Sequence, residues 1–89
     1  MFYDNAHMYA IANCESGFTH YKSTGGVLRG HVTPADTGVM QINLDAHGKE
    51  VARLDLDMED LYDNVAYARI LYENEGVRPW VCRNMVASR

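Results

Sequence analysis

Between Phe2 and Ser16 apolar residues recur on nearly every side of a helix of about 3.6 residues per turn. Only Asp4, Asn5, His7 and Asn13 interrupt them before Glu15. The pattern predicts a largely buried helix that stops at Gly17, a residue able to take the left-handed conformation at a helix end. Residues 23 to 37, "STGGVLRGHVTPADT", are rich in Gly, Thr and Pro, with β-branched residues at Val27 and Val32, which predicts a loop or small hairpin. The run "GVMQIN" at 38 to 43 is apolar except for Gln41, and a helix is expected from Asp45 to Leu54, weakened by Gly48. The acidic link "DLDMED" at 55 to 60 offers Asp57 or Asp60 as cap for a helix from about Leu61 to Glu75. That helix should turn Leu61, Val65, Ala68 and Tyr72 inward, with Leu71 beside them, and end at Gly76 ahead of Pro79. The tail from Trp80 to Arg89 is expected to be short and irregular, anchored at Trp80 and Cys82. The fold class is therefore mainly α with a small β element (α+β): about three helices and a short loop or β-hairpin.

Length and composition narrow the function classes. The 89 residues are expected to form one domain spanning 1–89, and 47% hydrophobic with 22% charged residues is a composition that folds. A net charge of −4 argues against a general nucleic-acid binder, which needs a basic surface to displace counterions from phosphate. No stretch is long and apolar enough to span a bilayer, and no basic segment leads into a short apolar run as in a signal peptide. Cys14 and Cys82 are too far apart in sequence for a CxxC pair and the four histidines lack ligand spacing, so neither a metal nor a cofactor is expected.

Glu15 is the residue with candidate chemistry. It occupies the last turn of the first helix, where unpaired carbonyls make the dipole negative, and projects along the stripe of Met8, Ile11 and Ala12. Both conditions raise a carboxyl pKa, and a proton donor for a departing oxygen needs such a setting. On spacing alone a solvated helix-end glutamate is the commoner reading.

With "CESGF" closing a buried helix and "DTGVMQIN" following a Gly-rich loop, the chain resembles the lysozyme-like superfamily of peptidoglycan-cleaving enzymes. It resembles the soluble-type lytic transglycosylases at Glu15-Ser16, at Ser23 with Gly25, at Gly38-Val39-Met40-Gln41-Ile42, and at Asn64, Tyr67 and Ala68 of the later helix. It departs from them at Asp36, and at "EGVRPWVCR", which stands where many carry a Tyr-Asn segment. "ESGF" and "DTGVMQIN" are similar instead to chicken-type lysozymes, and that match puts Asp36 on the second catalytic carboxylate. "CES" and "PWVC" are similar to resuscitation-promoting factors, which implies a Cys14–Cys82 disulfide. Two buried free thiols are the other reading.

The resemblance implies a small lysozyme-like fold whose cleft is flanked by the hairpin. It implies cleavage of the β-1,4 bond between N-acetylmuramic acid and N-acetylglucosamine, with Glu15 as general acid and Asp36 as second carboxylate. Ser23, Met40, Gln41, Asn43 and Tyr67 are implied at the glycan. Hydrolysis and transglycosylation to an anhydro sugar both stay open, because Asp36 in "TPAD" is equally an ordinary turn residue. Gln41 is nearly as well explained by a hydrogen bond to the hairpin backbone, Ser23 by an exposed loop, and Tyr67 better by the core. Implied partners are peptidoglycan strands or chitooligosaccharides, met by a monomer that is secreted, periplasmic or associated with the cell wall. The contrasting expectation is a noncatalytic glycan-binding module that keeps the cleft.

Overall fold

The computed structural model describes residues 4–85. Helix α1 spans Ala6–Ser16. It starts later than the apolar pattern suggested, because the Asn5 side chain accepts the Met8 N–H at 3.0 Å and so caps the helix there. Residues 1–3 lie outside the described chain. Gly17, at φ 59°, ends the helix as expected, its N–H donating to the Asn13 carbonyl at 2.9 Å.

The loop of residues 18–35 crosses the molecule with single bridges only, Tyr21 to Val27 and Arg29 to Thr37. The paired strands lie further on. Strand β1, Asp36–Thr37, runs antiparallel to β2, Ile42–Asn43, in the register Asp36 to Asn43 and Thr37 to Ile42. The loop or small hairpin expected over residues 23 to 37 is thus mostly loop, with Val27 in a single bridge and Val32 91% exposed. Gly38 explains where the chain reverses instead. Its φ is 76°, and a side chain there would drive its Cβ into the His20 ring and the Asn64 amide.

Helix α2, Leu44–Arg53, is capped by Asn43, whose side chain accepts the Ala46 N–H at 2.9 Å. Helix α3, Leu61–Glu75, is capped by Asp60 and stops at Gly76. Its buried face is Asn64, Val65, Tyr67, Ala68 and Leu71, turned from the expected stripe so that Leu61 and Tyr72 are only half-buried. The tail is more regular than expected, with a 3₁₀ segment at Val81–Met85.

Met8, Ile11 and Ala12 of α1 meet Met40 and Ile42 of the hairpin, Val65, Tyr67 and Ala68 of α3, and Trp80 in one apolar core. Two buried polar side chains, His20 and Asn64, fix the hairpin turn against it. Nδ1 of His20 accepts the Val39 N–H at 3.0 Å, while Nε2 is 2.8 Å from the Glu59 carbonyl. These partners assign the proton to Nε2. Trp80 closes the other side, its indole N–H donating to the Met40 carbonyl at 2.7 Å. The architecture is α+β, three helices with one two-stranded hairpin, and among the described residues no helix is long and apolar enough to cross a membrane.

Candidate functional site

A cavity of about 180 Å³ opens where the end of α1, the hairpin, the start of α2 and the segment 79–81 converge. Glu15 stands on one wall, with Asp36, Gln41 and Asn43 brought by the hairpin, His47 by α2, and Trp80 and Val81 by the segment after α3. Folding thus gathers residues from opposite ends of the chain around one carboxyl.

Glu15 is half-buried and its carboxyl titrates above the ordinary glutamate value of 4.5. Burial is the main cause, since it penalises the charged form, and the negative charge of Asp36 adds to it. Two backbone N–H groups oppose the shift. Cys82 donates to Glu15 Oε2 at 3.0 Å, and Val81 offers its N–H to the same carboxyl. The balance is a raised pKa, in the direction that the apolar setting suggested.

The neighbouring Ser16 ties α1 to the opposite wall, its hydroxyl lying 2.7 Å from the Val39 carbonyl and 3.0 Å from that of Ala12. The Glu-Ser pair therefore divides its work: one side chain faces the cavity while the next fixes the distance to the hairpin turn.

Asp36 is half-buried at the start of β1, and its Oδ1 accepts the Asn43 amide N–H at 3.0 Å. The register that pairs Asp36 with Asn43 places the two side chains side by side. Asn43 also caps α2 through its Oδ1, so both ends of its amide are engaged and the orientation of Asp36 is tied to the helix start. Gln41 lines the cavity from a left-handed backbone, φ 49°, a conformation that costs a non-glycine residue about 1 kcal/mol. Its Nε2 donates to the Gly38 carbonyl at 2.9 Å. Gln41 thus combines a place at the cavity with the backbone bond that was the alternative reading.

Three other expected glycan contacts lie elsewhere. Ser23 sits exposed in the turn of residues 22–26, away from the cavity lining. Met40 has 0% exposure and Tyr67 2%, so both side chains belong to the core and have no surface to present to a sugar. The reason is register: Met40 alternates with Gln41 across the turn, and Tyr67 lies on the α3 face that packs inward. Tyr67 instead supports the site from behind, its hydroxyl 3.3 Å from His47 Nδ1 with the rings edge to face at 5.7 Å. His47 was missed in the sequence because a lone histidine in the first turns of an amphipathic helix carries no motif. The Val81 and Cys82 donors were missed because they are backbone groups.

Cys14 and Cys82 form a disulfide, Cα atoms 6.1 Å apart, linking residues 68 positions apart. It joins the last turn of α1 to the 3₁₀ segment beside Glu15. In loop-entropy terms a crosslink that closes most of a small domain contributes about 4 kcal/mol.

The described residues contain no group of three or more His, Cys, Asp and Glu side chains placed to hold a metal ion. Comparison with protein-family models, curated proteins and solved structures gives no match. The chemistry of the site therefore rests on its own geometry: a carboxyl whose pKa is raised, a second carboxylate lining the same cavity, and the Gln41 and Asn43 side chains and the His47 ring beside them.

Proposed function

We propose that the chain is a muramidase, cleaving the β-1,4 bond between N-acetylmuramic acid and N-acetylglucosamine of peptidoglycan with Glu15 as general acid. The observation that carries this reading is the pairing of Glu15, half-buried with its pKa raised, with Asp36 in one open cavity. The ordered motifs "CESGF" and "DTGVMQIN" supply the substrate class by resemblance.

Glycosidic cleavage needs a proton on the leaving oxygen and charge compensation for an oxocarbenium-like centre. Glu15 supplies the first and Asp36 the second, after which water captures the sugar. The bond from Asn43 keeps Asp36 aimed instead of free in a turn, which favours hydrolysis over attack by the muramyl 6-hydroxyl. The disulfide suits a protein working in an oxidising setting such as a periplasm or cell wall.

Glu15→Gln preserves shape and removes the proton source. It should abolish clearing of cell-wall suspensions, and full retained activity would refute the assignment. Mass spectrometry of the released fragments separates reducing ends, the hydrolysis product, from anhydromuramyl ends. Binding of chitooligosaccharides without turnover over long incubation would instead make the domain a glycan-binding module.

A further inference from the structure

The hydrogen bond between Cys82 and Glu15 runs alongside a covalent bond between the same two segments. Cys14 immediately precedes Glu15, and its disulfide partner is the residue whose N–H donates to Glu15 Oε2 at 3.0 Å. Trp80 is locked by its indole to the Met40 carbonyl at 2.7 Å, and beyond it the 3₁₀ segment is tied to α1 by the disulfide, by this hydrogen bond and by the Val81 N–H on the same carboxyl. A protonated carboxyl has one O–H donor and uses its other oxygen as acceptor. An oxygen that already accepts a backbone N–H is the acceptor.

We propose that the Cys14–Cys82 disulfide is a positioning element of the acid: it holds the Cys82 N–H on Glu15 Oε2, so that this oxygen acts as an acceptor, and makes cleavage depend on the oxidation state of the crosslink. The inference rests on the muramidase reading for its catalytic part, and on geometry alone for the hydrogen bond. Cys14 is an exposed residue and Cys82 a half-buried one. A dithiol reductant would form a mixed disulfide with one cysteine and then close on itself, passing two electrons and two protons to the cystine and leaving two thiols. The 3₁₀ segment then loses its covalent tie to α1, and the Cys82 N–H is no longer held on the carboxyl.

Few titratable or charged groups face Glu15 from the packed elements. Asp36 comes from the hairpin and His47 from α2, both lining the cavity. Arg83 of the 3₁₀ segment is turned onto the Trp80 carbonyl, 3.2 Å from its Nη1. None of these depends on the disulfide in the way the Cys82 N–H does.

Two forms of the full chain test the proposal. In the first, the oxidised protein is reduced with a dithiol and assayed on a soluble glycan while circular dichroism follows the fold. A drop in kcat of roughly tenfold with KM within about twofold, reversed on reoxidation, is expected for loss of a positioning contact. In the second, a chemically ligated analogue replaces the Val81–Cys82 amide by an ester, which removes only the N–H and keeps the disulfide. Carbon NMR of the Glu15 carboxyl should then show its pKa raised relative to the amide form, because the charged state has lost a donor. A folded, reduced protein with unchanged kcat, or an ester analogue with unchanged Glu15 titration, would overturn the proposal. If reduction unfolds the chain, the ester analogue decides alone. If no form cleaves glycan, the muramidase reading fails, while the titration still decides whether Cys82 governs the acid.

Discussion

The Asn64 side chain, inside helix α3, holds the turn that carries the site: its Oδ1 accepts the Met40 N–H at 3.0 Å. Its Nδ2 donates to the carbonyls of Thr37 and Met58, each at 2.9 Å, so one fully buried amide satisfies three backbone groups from two separate loops. Asn64→Ala leaves all three without partners, at about 1–3 kcal/mol for a buried unsatisfied group, and should cost about 3 kcal/mol after partial relaxation. Urea denaturation measures this. Asn64→Asp keeps the acceptor for Met40 but turns a carboxylate oxygen on two carbonyls, and it should be at least as destabilising. A variant within about 1 kcal/mol of the parent would show that water replaces the amide.

Gly38→Ala tests the same turn from the other side. The residue has φ 76°, and an added Cβ would lie 2.6 Å from His20 Cε1 as well as against the Asn64 amide. Left-handed strain of about 1 kcal/mol or more and overpacking of about 1–3 kcal/mol both oppose the change. Neither neighbour can retreat without breaking the bonds that hold Val39 and Met40. The expected result is a loss of roughly 3 kcal/mol with activity lost in parallel.

These two residues also show what sequence reading captures. The limits of α3 were legible because Asp60 and Gly76 are chemically explicit signals, and Gly17 marks the end of α1 in the same way. The buried face of α3 was legible at Val65, Ala68 and Leu71 but not at Asn64, because periodicity counts Asn64 as polar and therefore outward, whereas a polar side chain with three partners is at home inside. The loop was legible from its Gly, Thr and Pro content, but the place of the paired strands was not, because the chain pairs where Gly38 permits reversal. At the site, Glu15, Asp36, Gln41 and Asn43 could be read because they are side chains in a recognisable order. The donors at Val81 and Cys82 could not, being backbone atoms 66 and 67 positions away from Glu15 in a tail without a strong period.

His47 should contribute to glycan binding more than to turnover. Its ring lines the cavity, and Nδ1 is engaged by the Tyr67 hydroxyl, which fixes the ring from behind. His47→Ala removes one polar contact of about 1 kcal/mol, so KM should rise about fivefold while kcat stays within about twofold. Tyr67→Phe, which deletes only the hydroxyl, should give a smaller rise in the same direction. A kcat loss without change in KM would assign His47 to the chemistry instead.

The raised pKa of Glu15 makes stability and activity fall together as pH rises, and Glu15→Gln separates the two. An acid that binds its proton more tightly when folded makes the native state lose relative stability as pH climbs from the unfolded glutamate value of 4.5 through the raised value. Above that window the wild type carries a half-buried negative charge, whereas Glu15→Gln stays neutral. The variant should therefore gain thermal stability over the wild type as pH rises through the window, then hold a constant advantage. Activity of the wild type should fall across the same interval, because the acid loses its proton. Melting curves from pH 4 to 8 check the first statement; a stability difference that is flat with pH would mean the carboxyl is not perturbed.

If the chain is a muramidase, Asp36 decides between hydrolysis and transglycosylation, and its charge acts on Glu15 at the same time. Its negative charge contributes to the raised Glu15 pKa, so Asp36→Asn should move the alkaline limb of the pH–rate profile to lower pH. If it also compensates the oxocarbenium centre, kcat should fall on the order of a hundredfold. Asn43→Ser separates aim from charge. Serine still caps α2, but it cannot donate to Asp36 Oδ1 as the Asn43 amide does at 3.0 Å. That variant should keep the position of the alkaline limb while losing part of kcat, because Asp36 stays charged but swings. Should Asp36→Asn turn over at the parental rate and release anhydromuramyl ends, the carboxylate is a turn residue and the sugar supplies its own nucleophile. Should the released ends stay reducing while the rate collapses, Asp36 is the second catalytic carboxylate, and Asn43 is what makes it one.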